Sequence, residues 1–195
     1  MTSKQRLSII LVLLLVLSVS ETTFGNSGGK TGSTTSGCGC HGGSGGITPT
    51  LSGLPSSGYE ETTAYTLNIG GTGGPSGTKG GFNLDSNLGS WSNPGTNAKL
   101  QSGEVTHSNS NSRSWSVTWT SPANGSGTAT FSLAVNFANG NGATSGDDWA
   151  TSTWNLDQEI TSNGDSDGDG WSDTDESSCG TDSSDNTSIP TDTDS

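Results

Sequence analysis

Positive charge is almost absent from this sequence: six Lys and Arg stand against 19 Asp and Glu in 195 residues, a net charge of −13. A chain this negative repels phosphate backbones, and no basic stripe offsets it, which argues against nucleic acid as a partner. Histidine is scarcer still, with only His41 and His107, and no acid and base pair of the kind hydrolysis needs. Gly42-Gly43-Ser44-Gly45-Gly46 has the letters of a nucleophile elbow but neither the strand before it nor the helix after it. Gly29-Lys30-Thr31 ends like a phosphate loop, yet Phe24 stands where that loop requires Gly. Apolar residues make up only 26% of the chain while Gly numbers 31, so one core at most is expected, and its material must be concentrated. No window from Ile47 to Asp157 carries a sustained helical period.

The one long apolar run is Leu7 to Val19, preceded by Lys4 and Arg6 and followed by polar Ser20, Glu21 and Thr22. Thirteen residues as a helix span roughly 20 Å at about 1.5 Å per residue, short of the roughly 30 Å hydrocarbon core. The pattern predicts a signal peptide over 1–25, cleaved after Ser20 or Gly25, with an uncleaved N-terminal anchor as the alternative. Either way the rest of the chain is expected outside the cytoplasm, with no transmembrane helix in the mature protein if the signal is removed. Residues 26–46 are almost wholly Gly, Ser and Thr and predict a flexible connector.

From 47 to 157 short alternating runs replace it. Tyr65, Leu67 and Ile69 alternate with Thr66 and Asn68; Trp115, Val117 and Trp119 with Ser116 and Thr118; Phe131, Leu133, Val135 and Phe137 continue the period, and Trp149 to Leu156 reads as a last strand. These are half-buried strands, and about 110 residues of them predict an all-β antiparallel sandwich. Trp115 and Trp119 belong to its core, whereas Trp91 and Trp171 lie in polar surroundings. The Gly-rich loop 138–148 reads as a hairpin connection, with Asp147 and Asp148 as its only charged groups.

The acidity lies at the end. Residues 157–195 hold twelve acids and no Lys or Arg, against six acids in 47–156. Within them 165–176 reads D-S-D-G-D-G-W-S-D-T-D-E, matching the EF-hand loop at every specified position. Ca²⁺ takes six to eight oxygens at about 2.3–2.6 Å. Asp165, Asp167 and Asp169 would supply three, the Trp171 carbonyl another, Asp173 one directly or through water, and Glu176 two, with Gly170 making the turn. The flanks predict no amphipathic helix on either side, so another framework is expected. Residues 165–194 resemble the thrombospondin type 3 repeat, and the resemblance implies further Ca²⁺ positions at Asp182, Asp185, Asp192 and Asp194. It also implies a downstream partner for Cys179, so the acidic region 158–195 is expected to be the start of a longer one.

Cys38-Gly39-Cys40-His41 concentrates the chain's soft-ligand chemistry. Covalent haem attachment uses C-x-x-C-H, one residue longer; a single thioether through Cys40 with His41 on the iron, and His107 as a distal ligand, is one reading. A Cys₂His₂ zinc site from Cys38, Cys40, His41 and His107 is another, and a Cys38–Cys40 disulfide a third. The motifs CGCHG (38–42), GGFNL (80–84), THS (106–108), SWSVTWTSP (114–122) and NGNGATSGD (139–147) resemble, in this order, the Reeler-related, choice-of-anchor V class of extracytoplasmic β domains. That resemblance implies a displayed β-sandwich with no established reaction. The expectation is therefore a secreted or cell-surface, non-catalytic calcium-binding protein that meets an extracellular protein or glycan, with an extracytoplasmic haem protein as the alternative.

Overall fold

A computed structural model of the chain describes residues 25–43, 45–159 and 164–191. Residues 1–24 of the expected signal segment, Ser44, Asp192 and Asp194 lie outside the described residues. Among the described residues nine strands form two antiparallel sheets. In chain order they are β1 (Ile47–Ser52), β2 (Ala64–Gly73), β3 (Lys79–Ser86), β4 (Ser90–Ser92), β5 (Ala98–Gln101), β6 (Glu104–His107), β7 (Trp115–Thr120), β8 (Ala129–Ala138) and β9 (Asp148–Leu156). The first sheet runs β1-β2-β7-β4 and the second β5-β6-β3-β8-β9, the all-β sandwich that the alternation predicts.

The period of two decides what meets in the middle. Leu67 and Ile69 of β2 and Trp115, Val117 and Trp119 of β7 face Phe82 and Leu84 of β3 and Phe131, Leu133 and Val135 of β8. Trp119 is the hinge of this core: its ring meets Phe131 edge-on at 4.8 Å and Tyr59 edge-on at 5.7 Å, and its indole N–H donates to the Leu88 carbonyl at 3.0 Å. Edge-to-face pairs of this kind add about 0.5–1.5 kcal/mol each beyond the area they bury. Trp91, unplaced by its polar sequence neighbours, packs on the core rim with its ring 6.2 Å from Phe131.

β3 over Gly80–Leu84 and β8 over Leu133–Phe137 are buried on both faces. Besides the inward residues, Asn83, Ala134 and Asn136 on the outer face are buried too, because segment 25–43 lies across them. The Lys30 N–H donates to Thr106 Oγ1 at 3.1 Å, Gly32 N–H to Glu104 at 2.9 Å, and Ser33 N–H to the buried Asn83 Oδ1 at 2.8 Å. At Gly37, with φ +73°, an added Cβ would fall inside the Trp149 ring. The flexible connector expected from composition is corrected over these residues: glycine here allows close approach of backbone to sheet. Arg113 closes the adjoining end, donating to the carbonyls of Pro75, Lys79 and Ala138 at 2.8–3.0 Å, with its guanidinium 4.4 Å above the Phe137 ring.

Beyond the sandwich one helix is formed among the described residues, α1 (Asp173–Cys179). Ser172 caps it by accepting the Asp175 N–H, and Gly180, in the left-handed region, ends it with its N–H on the Glu176 carbonyl. Asp173, Asp175 and Glu176 in the first turn suit the positive end of the helix dipole. The flanks predict no amphipathic helix, and the short helix on the C-terminal side begins within the loop and is held by caps, without an apolar stripe.

Candidate functional site

The loop that leads into α1 gathers its acids by backbone hydrogen bonding. Asp165 accepts the N–H groups of Gly168 at 2.7 Å and Gly170 at 2.9 Å, one on each carboxylate oxygen. Asp167 Oδ1 accepts from Asp169 N at 3.2 Å and Asp169 Oδ1 from Trp171 N at 2.9 Å. Gly170 sits at φ +99°, a conformation that glycine adopts without strain. At Asp167 and Asp169 the turn pins one oxygen and leaves the other without a partner, and oxygens of Asp165, Asp167 and Asp169 come within 4.8 Å of one another.

The inward oxygens have no partners. Asp167 Oδ2, Asp169 Oδ2 and both oxygens of Glu176 are buried without a hydrogen bond. Glu176 is 0% exposed, and the charges of Asp167, Asp169, Asp173 and Asp165 act on it. Burial first, then this repulsion, raises its carboxyl above the ordinary carboxylate range; burial likewise raises Asp167, whereas the Gly170 N–H, with those of Gly168 and Asp169, lowers Asp165. A buried carboxylate without a donor is costly, and a hard cation bound by oxygen relieves that cost. Asp173 instead has both oxygens engaged by Ser166, at 2.9 Å to N and 2.8 Å to Oγ, so it clasps the loop and can reach an ion through water. The Trp171 side chain is 41% exposed, and its carbonyl accepts no hydrogen bond among the described residues. Asp182 and Asp185 each fold back on local groups, Ser184 and Thr187, and join no cluster of three ligands among the described residues.

A second site lies on the outer face of the β5-β6-β3-β8-β9 sheet. A cavity of about 560 Å³ opens between this face and segment 25–43, with Lys30, Cys38, Cys40, His41, Lys79 and His107 in its wall. Its volume falls within the roughly 300–1,000 Å³ of small-molecule and cofactor sites. His41 Nδ1 lies 2.7 Å from Asp147 Oδ2. Asp147 is only 4% exposed, and its other oxygen accepts the Asn139 N–H at 2.9 Å. His107 Nδ1 meets the Phe82 N–H at 3.1 Å and its Nε2 the Asn26 carbonyl at 3.0 Å.

The structure brings the four predicted soft ligands to one cavity but does not converge them. Among the described residues the only group of three or more ligand atoms within 4.8 Å of one another is that of the three Asp. Cys38, Cys40 and Cys179 are all free thiols, so the Cys38–Cys40 disulfide is not formed. Burial pushes the Cys38 thiol up to about 11, against the partial opposition of Lys30. Asp147 is the site residue that sequence reasoning left without a partner: it lies 106 positions from His41, and only the fold of β8 onto β9 carries it there.

No family model matches the chain, and no curated protein does. Among solved structures it is similar to the human F-spondin reeler domain, with 16% identity over 68% of this chain and 96% of that one and a TM-score of 0.45. A second structure, of the Reelin-N domain of F-spondin, gives 16% identity, 67% and 92% coverage and a TM-score of 0.45. A conjugative transposon lipoprotein from Bacteroides eggerthii follows at 12% identity, 57% and 96% coverage and a TM-score of 0.33. Reeler domains, whose motifs the middle of the chain resembles, thus stand among its structural neighbours.

Proposed function

We propose that the chain is an exported, non-catalytic β-sandwich module that binds Ca²⁺ at the loop from Asp165 to Glu176 and presents its surface to an extracellular protein or glycan. The observation that carries the calcium reading is the set of four buried, unpartnered carboxylate oxygens on Asp167, Asp169 and Glu176. Their repulsion is offset by a divalent cation that takes oxygen ligands, and Glu176 offers both oxygens as the last residue of such a loop does. The role of the ion is structural. The loop exposes no groove on binding, since a single short helix follows it, in contrast to the helix pairs of calcium sensors.

Export is supported by the apolar run behind Lys4 and Arg6; among the described residues no helix is long and apolar enough to cross a membrane. Limited proteolysis of the full chain tests the reading. Ca²⁺ is expected to protect 164–191 from cleavage and a chelator to restore it, with Mg²⁺ at the same concentration protecting less. Identical cleavage in all three conditions would remove the proposal.

A further inference from the structure

The cavity between the outer face of the second sheet and segment 25–43 has a wall that the calcium reading leaves unused. Apart from the core residue Phe82 that wall holds no large apolar side chain, so it gives a lipid or a planar aromatic cofactor nothing to pack on. Charge of both signs lies in it. Lys30 and Lys79 are two of the four Lys and Arg residues after residue 25, and neither makes an ion pair among the described residues. Asp147 stands in the same wall, with its oxygens on His41 Nδ1 and the Asn139 N–H. An anion would meet this carboxylate and a cation the two ammonium groups, so an uncharged occupant rich in hydrogen-bonding groups fits better than either.

The sharpest requirement comes from Asn136, which stands in this wall opposite Gly81 of β3 and is only 6% exposed. Its Oδ1 is buried without a hydrogen-bond partner, a cost that an occupant carrying a donor removes. The two ends of a carboxamide trade places by a half-turn about χ2, so the group that suits it best both donates and accepts. A hydroxyl does both, and it also accepts from an ammonium group and donates to a carboxylate. Several hydroxyls on one small rigid frame describe a sugar ring. The wall is set before such an occupant arrives. Lys30 is pinned by its own backbone, whose N–H and carbonyl both bond Thr106 Oγ1 at 3.1 Å. The His41–Asp147 contact ties segment 25–43 to loop 138–148, and Gly25 lies against the Nε2 edge of His41. Little ordering is left for binding to enforce.

We propose that this cavity is a saccharide site, taking an uncharged sugar with Asn136 bonding one hydroxyl and Lys30 and Lys79 donating to others. The proposal rests on the glycan part of the reading above and gives that glycan a class and a place on the sandwich. It is independent of the calcium loop.

Amide chemical shifts of the isotopically labelled full chain test this, followed during titration with glucose, galactose, mannose and N-acetylglucosamine, and with glucuronate and free glycine as charged counterparts. The expected result is saturable shifts from at least one uncharged sugar in the millimolar range, confined to 25–43, β3 and 138–148 and larger than those from glucuronate or glycine. N136A should weaken that binding about tenfold, and K30M, which keeps the aliphatic stem and removes the ammonium group, should weaken it several-fold. Circular dichroism on each variant separates loss of sugar from loss of fold. No saturable shift from any of the four sugars in the folded parent, equal affinity in folded N136A and K30M, or tighter binding of glycine or glucuronate would each overturn the proposal. Shifts that map outside the cavity would remove this site while keeping a glycan as partner. Ca²⁺ titration of the same samples is expected to be unaffected by any of these outcomes, so failure here is distinct from failure of the calcium reading.

Discussion

Single residues in the acidic loop are set by a conflict between burial and charge. Glu176 is enclosed, faces four aspartates and finds no donor. Replacing it with Gln removes one charge and one of the two oxygens suited to Ca²⁺, so E176Q is expected to weaken Ca²⁺ binding by about tenfold or more while leaving the sandwich intact. Isothermal titration of both proteins reads this directly. The pH dependence has a defined sign. The carboxyls of Glu176 and Asp167 are raised in the ion-free loop, so the folded loop holds protons more tightly than the unfolded one and loses stability as pH rises through the raised values. Ca²⁺ must expel those protons. Its apparent affinity is therefore expected to fall as pH drops through the same window, with proton release on binding; titrations in buffers of different ionisation enthalpy measure it. Asp165 moves the other way, and its hydrogen bonds to Gly168 and Gly170 are lost only when pH falls through its lowered value.

Elements show how tertiary contact overrides composition. Segment 25–43 reads as a linker, yet Gly37 allows its backbone to approach Trp149 of β9. Gly37→Ala imposes a left-handed conformation that costs an L-residue roughly 1–2 kcal/mol, in addition to the overlap with the indole. The expected result is faster amide exchange over 30–37 with exchange in β7 unchanged; equal protection in both proteins would show that the segment is not held by this contact. β2, β7, β8 and β9 were legible because each exposes one face or end of its alternation, and apolar residues mark the other. β3 was not: in Lys-Gly-Gly-Phe-Asn-Leu-Asp-Ser only Phe82 and Leu84 mark the inward face, behind two glycines, and the outer face is buried by backbone and by Ser33, which no pattern within the strand announces. The helix α1 was missed for a related reason, since Glu176 is its only buried residue and its stability comes from the Ser172 and Gly180 caps. The acidic loop was legible because its carboxylates lie within twelve consecutive residues. The His41–Asp147 pair was not, because its distance in sequence carries no local signal.

At the scale of the whole molecule, structure and proposed chemistry are divided between regions. The core cluster is drawn entirely from residues between Ile47 and Leu156, and no described residue of the acidic region enters it. Phe131 touches both Trp119 and Trp91 across the sandwich. Phe131→Ala is therefore expected to destabilise the sandwich by about 3–5 kcal/mol, measured by denaturant unfolding followed by tryptophan fluorescence. Below that transition, Ca²⁺ affinity should stay at the parent value. A matching loss of Ca²⁺ binding in folded F131A would mean that the loop depends on the core, contrary to the division described here.

The most direct test of the central claim is a calorimetric Ca²⁺ titration of the full chain beside E176Q. Calcium binding at this loop predicts saturation at one tight site per chain in the parent, within the ~0.1–1 mM range of extracellular modules or tighter, and a loss of about tenfold or more in the variant. No saturable binding at millimolar Ca²⁺, or equal affinity in the two proteins, would contradict it.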